Sequence, residues 1–328
     1  MSEFSLDNIT HSLIGAVLGQ AGLKRLSGMG MPTLIIAANI PDIDAACFFW
    51  LEGQEHLGFR RGITHGPIAL LLLPLALTAI MIAYDRWQAR KGTRPRERLP
   101  VRFVPLYLLA LIGTISHPFF DWLNNYGIRL LEPFSSRWFY GDSLFIIDVW
   151  MWTGLGLSYW ISRRRERARR TDWRRPALFG LAALATYVLM NMAISTIAER
   201  MIRTQLLSAG VTPTLVVASP PPLLFWQRDV FWRNDERYGR GKVNLLGDSD
   251  VDSIGNSTGM NDALIQAAVG KDSSAAAFLF WARMPFAYRD GGNLVIGDQR
   301  FSDELAAGRF SIAIPLTASG PAQRQAGQ

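Results

Sequence analysis

The sequence predicts an α-helical membrane bundle: about four transmembrane helices plus an N-terminal re-entrant helical hairpin, followed by a small α+β, strand-rich soluble domain. Three observations carry this reading. Long uncharged runs alternate with short arginine-dense ones over the first 200 residues. Apolar residues at 49% and charged residues at 19%, with a mean hydropathy of +0.12, average a membrane part with a polar one. Beyond Glu199 charges, prolines and glycines return, and the apolar runs shorten to strand length.

Each element follows in order. The first ten residues carry Glu3 and Asp7 without a basic segment, which argues against a cleavable signal peptide. Two short apolar segments, residues 12–26 and 33–51, flank the turn SGMGMP. The first reaches only about 22 Å at helical rise, short for a ~30 Å hydrocarbon core. Residues 7–40 therefore read as a re-entrant hairpin with Lys24 and Arg25 toward the cytoplasm, a geometry tolerated where backbone is buried in protein. Four spans follow, at residues 66–84, 104–123, 143–161 and 177–197, so that residues 1–200 form the membrane-embedded domain. Seven cationic residues from Arg86 to Arg102 and eight arginines from Arg163 to Arg175 place those two loops in the cytoplasm. The loop of residues 124–142 offers only Arg129 and Arg137 against Glu132 and Asp142, and belongs outside. The fourth span then delivers residues 201–318 to the outer side as an extracytoplasmic domain. Its expected elements are strands near 214–218, 293–296 and 310–315 and a helix near 274–283. Residues 319–328 read as a disordered tail. The net charge of +7 thus resides mainly in two loops at the ends of apolar spans. It implies contact with anionic membrane lipid and not nucleic acid; protein partners are not specified by the sequence.

The candidate chemistry is restricted by composition. One cysteine, Cys47, excludes an intrachain disulfide framework and a cysteine-built zinc site. Four histidines remain: His11, His56, His65 and His117. His65 lies at the mouth of the first span, His117 and Asp121 close the second, and the hairpin opens with Asp7 and His11 and ends with Asp42 and Asp44. On the predicted topology all of these reach the outer face, where ionisable groups at a membrane are costly and their default reading is functional. Imidazoles and carboxylates without thiolates suit a divalent cation, zinc first and manganese or iron next, which lowers the pKa of water toward neutrality. His117 and Asp121 are one turn apart, with Pro118 able to alter their approach. Asp42 and Asp44 diverge on a regular helix, so one could ligate while the other supports a histidine. Asp7 is either an N-cap or part of the site, and Asp148 is either part of the site or a membrane-buried partner for an arginine. His56 reads as a loop residue. No G-x-S-x-G elbow, Walker or Rossmann fingerprint is present.

The motifs D-N-I-T-H-S-L-I-G at 7–15, P-D-I-D at 41–44, R-R-G-I-T-H-G-P at 60–67 and S-H-P-F-F-D at 116–121 resemble the YdjM/DUF457 family of bacterial inner-membrane proteins. The resemblance runs in order from Asp7 to about Asp148, and residues 219–226 look similar to the C-terminal domains of that family. It implies metal-dependent hydrolase activity and a distant relation to zinc-dependent phospholipase C and P1 nuclease. Carried over residue by residue, it implies His11, Asp42, Asp44, His65, His117 and Asp121 as metal-site candidates; of the aspartates, Asp44 and Asp121 are the expected catalytic carboxylates. Family members often read H-R-G-x-T-H where this chain has Arg60 first, which removes a ligand or proton carrier. Arg60 and Arg61 then stand either as holders of a substrate anion or as interfacial anchors. The functional expectation is a membrane-bound hydrolase acting on an ester, foremost a phosphoester of a lipid or lipid-linked substrate, at the outer face of the inner membrane. The alternative is a non-catalytic, metal-stabilised membrane protein whose C-terminal domain binds a partner.

Overall fold

The computed structural model describes residues 3–270, 272–302, 308 and 310–315. The expected tail of 319–328 lies outside the described residues. The N-terminal hairpin is built from α1 (Glu3–Gln20) and α2 (Gly30–Ala37), joined by a tight turn. A 3-10 segment, Ile40–Phe49, continues from α2 with a 49° bend, so the pair forms a broken or re-entrant element. The short helix α3 (Glu55–Phe59) and a 3-10 turn (Ile63–His65) lead into the long helices α4 (Pro67–Arg90), α5 (Phe103–Trp122), α6 (Val149–Arg167) and α7 (Arg175–Ser208). Of these, α4, α5 and α7 are long and apolar enough to cross a membrane.

The third expected span, 143–161, becomes α6, which is not among the helices long and apolar enough to cross and which begins later than expected. Residues 143–148 are not helical, because the chain returning from the loop is pinned to the end of α5: Ser143 N and Leu144 N both donate to Leu123 O, at 2.9 and 3.0 Å. Asp148 then caps α6, accepting from Met151 N at 2.9 Å. The helix carries its arginines in its last turn and stops being apolar after Ile161. His56, expected in a loop, sits on α3, with its Nδ1 3.0 Å from Gly53 O. Asp7 lies inside α1 and is not its N-cap.

Small residues set the helix spacing at the centre. A Cβ on Gly15 would meet Leu34 O at 2.7 Å, and one on Gly113 would meet Ala37 Cβ at 2.7 Å and Leu34 O at 2.9 Å. The backbones of α1 and α5 therefore close onto α2 from two sides, the small-residue contact that membrane helices use in place of a hydrophobic drive. Leu34, Ala37, Leu106, Leu109 and Ala110 fill the space between them.

At ~1.5 Å per residue α7 runs about 51 Å, longer than a bilayer core. Its far end leaves the bundle and becomes part of the strand-rich domain: Ala198, Ile202 and Leu206 pack with Val216, Val230 and Trp232. Those last residues belong to an antiparallel sheet in the order β1 (Leu215–Ser219), β2 (Gln227–Arg233), β3 (Arg237–Asn244), β4 (Ser249–Val251), with β5 (Asn256–Ser257) also paired to β3. After α8 (Ala263–Val269) and α9 (Ser273–Trp281) comes a second antiparallel sheet, β6 (Pro285–Asp290), β7 (Asn293–Asp298) and β8 (Ser311–Pro315). Its core joins Phe278 and Trp281 of α9 to Leu57 of α3 and to Tyr126, so this sheet rests on the loops of the helical part. The buried pair Asp298–Arg300, at 2.8 Å, stabilises the turn after β7. Burial alone would raise the Asp298 carboxyl, but the Arg300 guanidinium and three backbone amides hold it below the ordinary 3.8.

Candidate metal centre

Four separate elements deliver the site. His11 comes from α1, Asp42 and Asp44 from the 3-10 segment after α2, His65 from the turn before α4, and His117 with Asp121 from α5. Pro41 at the start of its 3-10 segment fixes the chain direction with Asp42 in the first turn. Pro118 does not separate its neighbours, since His117 Nε2 stands 3.5 Å from Asp121 Oδ2. All six predicted ligands meet in one cluster, while His56 lies outside it.

Asp121 is the hub. The Nε2 atoms of His11, His65 and His117 lie 3.4, 3.5 and 3.5 Å from its carboxylate oxygens. Asp42 Oδ1 lies 3.7 Å from His117 Nε2. The His11 ring stacks on that of His117 at 3.8 Å between centroids. His65 and His117 are 0% exposed and Asp121 is 1% exposed, so solvent does not account for their polar atoms.

These separations decide what the cluster suits. They exceed the 2.7–3.2 Å of a protein hydrogen bond; among the described residues His65 Nε2, His117 Nε2 and Asp121 Oδ1 are buried without one, and Asp121 Oδ2 has the Arg61 guanidinium 3.1 Å away. Ligands at 2.0–2.1 Å from a tetrahedral ion stand about 3.4 Å apart, which matches the observed spacing. Two overlapping sets, His11–His117–Asp121 and Asp42–His65–His117, each bring their donor atoms within 4.8 Å of one another. Nitrogen and carboxylate donors of this kind fit a divalent transition metal.

The supporting groups orient the rings. His117 Nδ1 donates to Ala38 O at 2.8 Å, which leaves the Nε2 lone pair facing the cluster. The Thr64 hydroxyl donates to Asp44 Oδ2 at 3.1 Å, so His65 Nδ1, 2.9 Å away, donates to Thr64 and presents its own Nε2 as an acceptor. Asp44 Oδ2 also accepts from Arg61 N at 2.8 Å.

Arg60 and Arg61 are not interfacial anchors. Arg60 Nη2 bonds Asp42 Oδ1 at 2.9 Å, and its Nε is 3.5 Å from Asp44 Oδ1. Arg61, 4% exposed, points Nε at Asp121 Oδ2 from 3.1 Å, donates Nη1 to Asn124 Oδ1 at 3.0 Å and lies 4.6 Å from the Tyr126 ring centroid. Arg61 adopts φ 53°, a left-handed conformation unusual for a non-glycine residue and concentrated at functional sites. Asp148 is outside the cluster; besides capping α6 it accepts from Tyr187 Oη at 2.8 Å, and among the described residues it pairs with no arginine at hydrogen-bond range.

Sequence reasoning missed Thr64, Asn124, Tyr126 and the Ala38 carbonyl. Thr64 stands inside R-R-G-I-T-H and Asn124 three residues past S-H-P-F-F-D, so adjacency to the motifs was their only signal. Tyr126 also links the cluster to the C-terminal domain, because its carbonyl accepts from Trp281 Nε1 at 3.2 Å.

A family model described as YdjM inner membrane protein matches residues 6–198. The uncharacterized protein YfhP of Bacillus subtilis (strain 168) is 27% identical over 143 residues, covering 40% of this chain and 39% of that protein. The chain thus spans about two fifths of that relative's length. No solved structure matches the chain.

Proposed function

The chain belongs to the YdjM inner membrane protein family, and on that premise we propose that it is a metal-dependent hydrolase of the inner membrane acting on a phosphoester of a lipid or lipid-linked substrate. The observation that carries the reading is the meeting of three histidine Nε2 atoms around one buried carboxylate at ligand-to-ligand spacing. His11, His65, His117 and Asp121 would hold the cation, zinc first, with Asp42 at its edge. When bound, it supplies a Lewis acid and a nucleophilic water at neutral pH.

The residues around it have separable tasks. Asp44 Oδ2 is engaged by Arg61 N and Thr64 Oγ1, so Oδ1, which has only the Arg60 guanidinium at 3.5 Å, would take a proton as general base. With neutral imidazoles, Asp42, Asp44 and Asp121 against Arg60 and Arg61 leave one net negative charge; a divalent cation makes the sum +1, the sign a phosphoester needs. Arg60 and Asp42 are the more accessible members, with side chains 13% and 12% exposed, and Arg60 is suited to hold a phosphoryl oxygen. Ile43, Phe59 and Ile63, neighbours of these residues in sequence, are exposed and would face acyl chains. The outward orientation of this face rests on the arginine distribution of the flanking loops.

Purified, metal-loaded protein assayed against phospholipids and lipid phosphates, with and without chelator, tests this. Turnover should vanish on chelation, and Asp44→Asn should lower it by about 10²–10⁴-fold with metal retained. A second reading is favoured by the closeness of Arg60 and Arg61 to the acidic groups: the cluster would be a buried ionic lock stabilising the bundle, and the C-terminal domain would bind a partner. Stable, metal-loaded protein inert on every ester class would support that one.

A further inference from the structure

At the end of α2 remote from Ala38, the α1–α2 turn, the α4–α5 loop and the end of α6 border a shallow cavity of about 400 Å³, open to the surroundings. Lys24, Arg25, Ser27, Arg98 and Glu166 line it, together with the first three residues of α2. This volume lies in the range of ordinary ligand pockets.

Cations crowd around it. The buried Trp173 ring has Lys24 Nζ at 4.8 Å, the Arg25 guanidinium at 4.9 Å and the Arg174 guanidinium at 5.2 Å from its centroid. Each contact with the ring is favourable, but three like charges so close repel one another. Among the described residues the carboxylate facing them is Glu166, which accepts from Lys24 at 2.6 Å, Arg163 at 2.9 Å and Gln20 at 3.3 Å. Asp172 is engaged by Arg165 and Arg170, and Asp85 by Arg94 and Arg98. Lys24 and Arg163 thus share one carboxylate, and among the described residues no carboxylate bonds Arg25 or Arg174.

The Lys24 side chain is 13% exposed and the shared ring is buried, while Arg25 and Arg174 are exposed to an incoming headgroup. Ser27, 2% exposed, accepts from Arg102 N at 3.2 Å, and among the described residues no acceptor takes its hydroxyl proton. The N-terminus of α2 adds a positive partial charge on the same cavity.

We propose that this cavity binds the phosphate of an anionic phospholipid headgroup in the leaflet on the arginine-rich side. Lys24 and Arg25 supply charge at the cavity, Arg174 strengthens the field, and the Ser27 hydroxyl donates a hydrogen bond. The site is separate from the histidine–aspartate cluster and does not depend on its chemistry.

The test uses delipidated full-length protein in a neutral detergent. Its thermal midpoint is followed against short-chain phosphatidylglycerol, short-chain phosphatidylcholine and inorganic phosphate. Phosphatidylglycerol should raise the midpoint and phosphatidylcholine should not. Arg25→Gln/Arg174→Gln should need about thirtyfold more phosphatidylglycerol for the same rise, at roughly fivefold per cation near an anionic headgroup. Arg90→Gln/Arg96→Gln, equally basic but outside the cavity, should behave as wild type. An equal response in the cavity variant and wild type overturns the proposal. Saturation by inorganic phosphate at the lipid's own concentration overturns the lipid assignment in favour of a soluble phosphate. Should the double variant not fold, native mass spectrometry of wild-type protein extracted from mixed vesicles decides: retained phosphatidylglycerol supports the site, and equal retention of both lipids overturns it.

Discussion

Thr64→Val isolates the part of the account that concerns ring orientation. Valine keeps the shape of threonine but lacks the hydroxyl that stands 2.9 Å from His65 Nδ1 and 3.1 Å from Asp44 Oδ2. With that relay gone, the contact left to His65 Nδ1 is the longer one to Asp44 Oδ2, at 3.6 Å, which holds the proton on Nδ1 less firmly and lets more of the rings carry it on the nitrogen that should ligate. Asp44 loses one of its two donors at the same step. Removing such an outer partner typically weakens metal binding by about 10–100-fold, or roughly 1.4–2.8 kcal/mol. The assay is competition for zinc between the detergent-solubilised protein and a fluorescent chelator, with Thr64→Ser as the rescue, since serine retains the hydroxyl. Stability in excess chelator should change little, by about 1 kcal/mol for the lost hydrogen bonds. If Thr64→Val holds zinc within about twofold of wild type, the orientation argument is wrong.

Three further outcomes follow from the same geometry. The Asp298 carboxyl is held below 3.8 in the folded chain, so its contribution is complete above that value and is lost as pH falls through the folded pKa. Asp298→Asn should cost about 3–5 kcal/mol at neutral pH by stranding Arg300 and should flatten the acid limb of a fluorescence-monitored unfolding curve; an unchanged limb contradicts this. Gly113→Val should destabilise by at least about 1–3 kcal/mol, because its Cβ would lie 2.7 Å from Ala37 Cβ and 2.9 Å from Leu34 O, and a thermal midpoint equal to wild type would refute the close α2–α5 contact. Reporter fusions after Arg98 and Glu132 should read cytoplasmic and outer respectively; a cytoplasmic Glu132 would reverse the orientation inferred from the arginines.

The cluster was legible in the sequence because its members are scarce and lie at predicted span ends: three of four histidines and four aspartates, Asp7 among them, could be placed on one face by topology alone. Span ends are poor places to read helix bounds, however. The run at 143–161 carries Asp148 as its one charged residue, yet its start is strapped to Leu123 O through Ser143 and Leu144, and only the Asp148 cap starts the helix. Arg60 and Arg61 carry the composition of interfacial anchors, and nothing local distinguishes that role from pairing with Asp42 and Asp121 across the chain. The support groups were hidden for a similar reason. A threonine hydroxyl or a main-chain carbonyl such as that of Ala38 acquires its role only from the ring that reaches it. The extension of α7 to Ser208 also escaped notice, because Ala198, Ile202 and Leu206 repeat at helical spacing among charged residues and become apolar contacts only once the first sheet packs on them.

The most direct test of the central claim is elemental analysis of purified full-length protein beside a His65→Ala/His117→Ala variant. The account predicts divalent metal near stoichiometric amounts in the wild type and little in the variant, since His117 Nε2 belongs to both candidate ligand sets. Equal, negligible metal in both proteins, after purification without chelator and incubation with zinc, would contradict it.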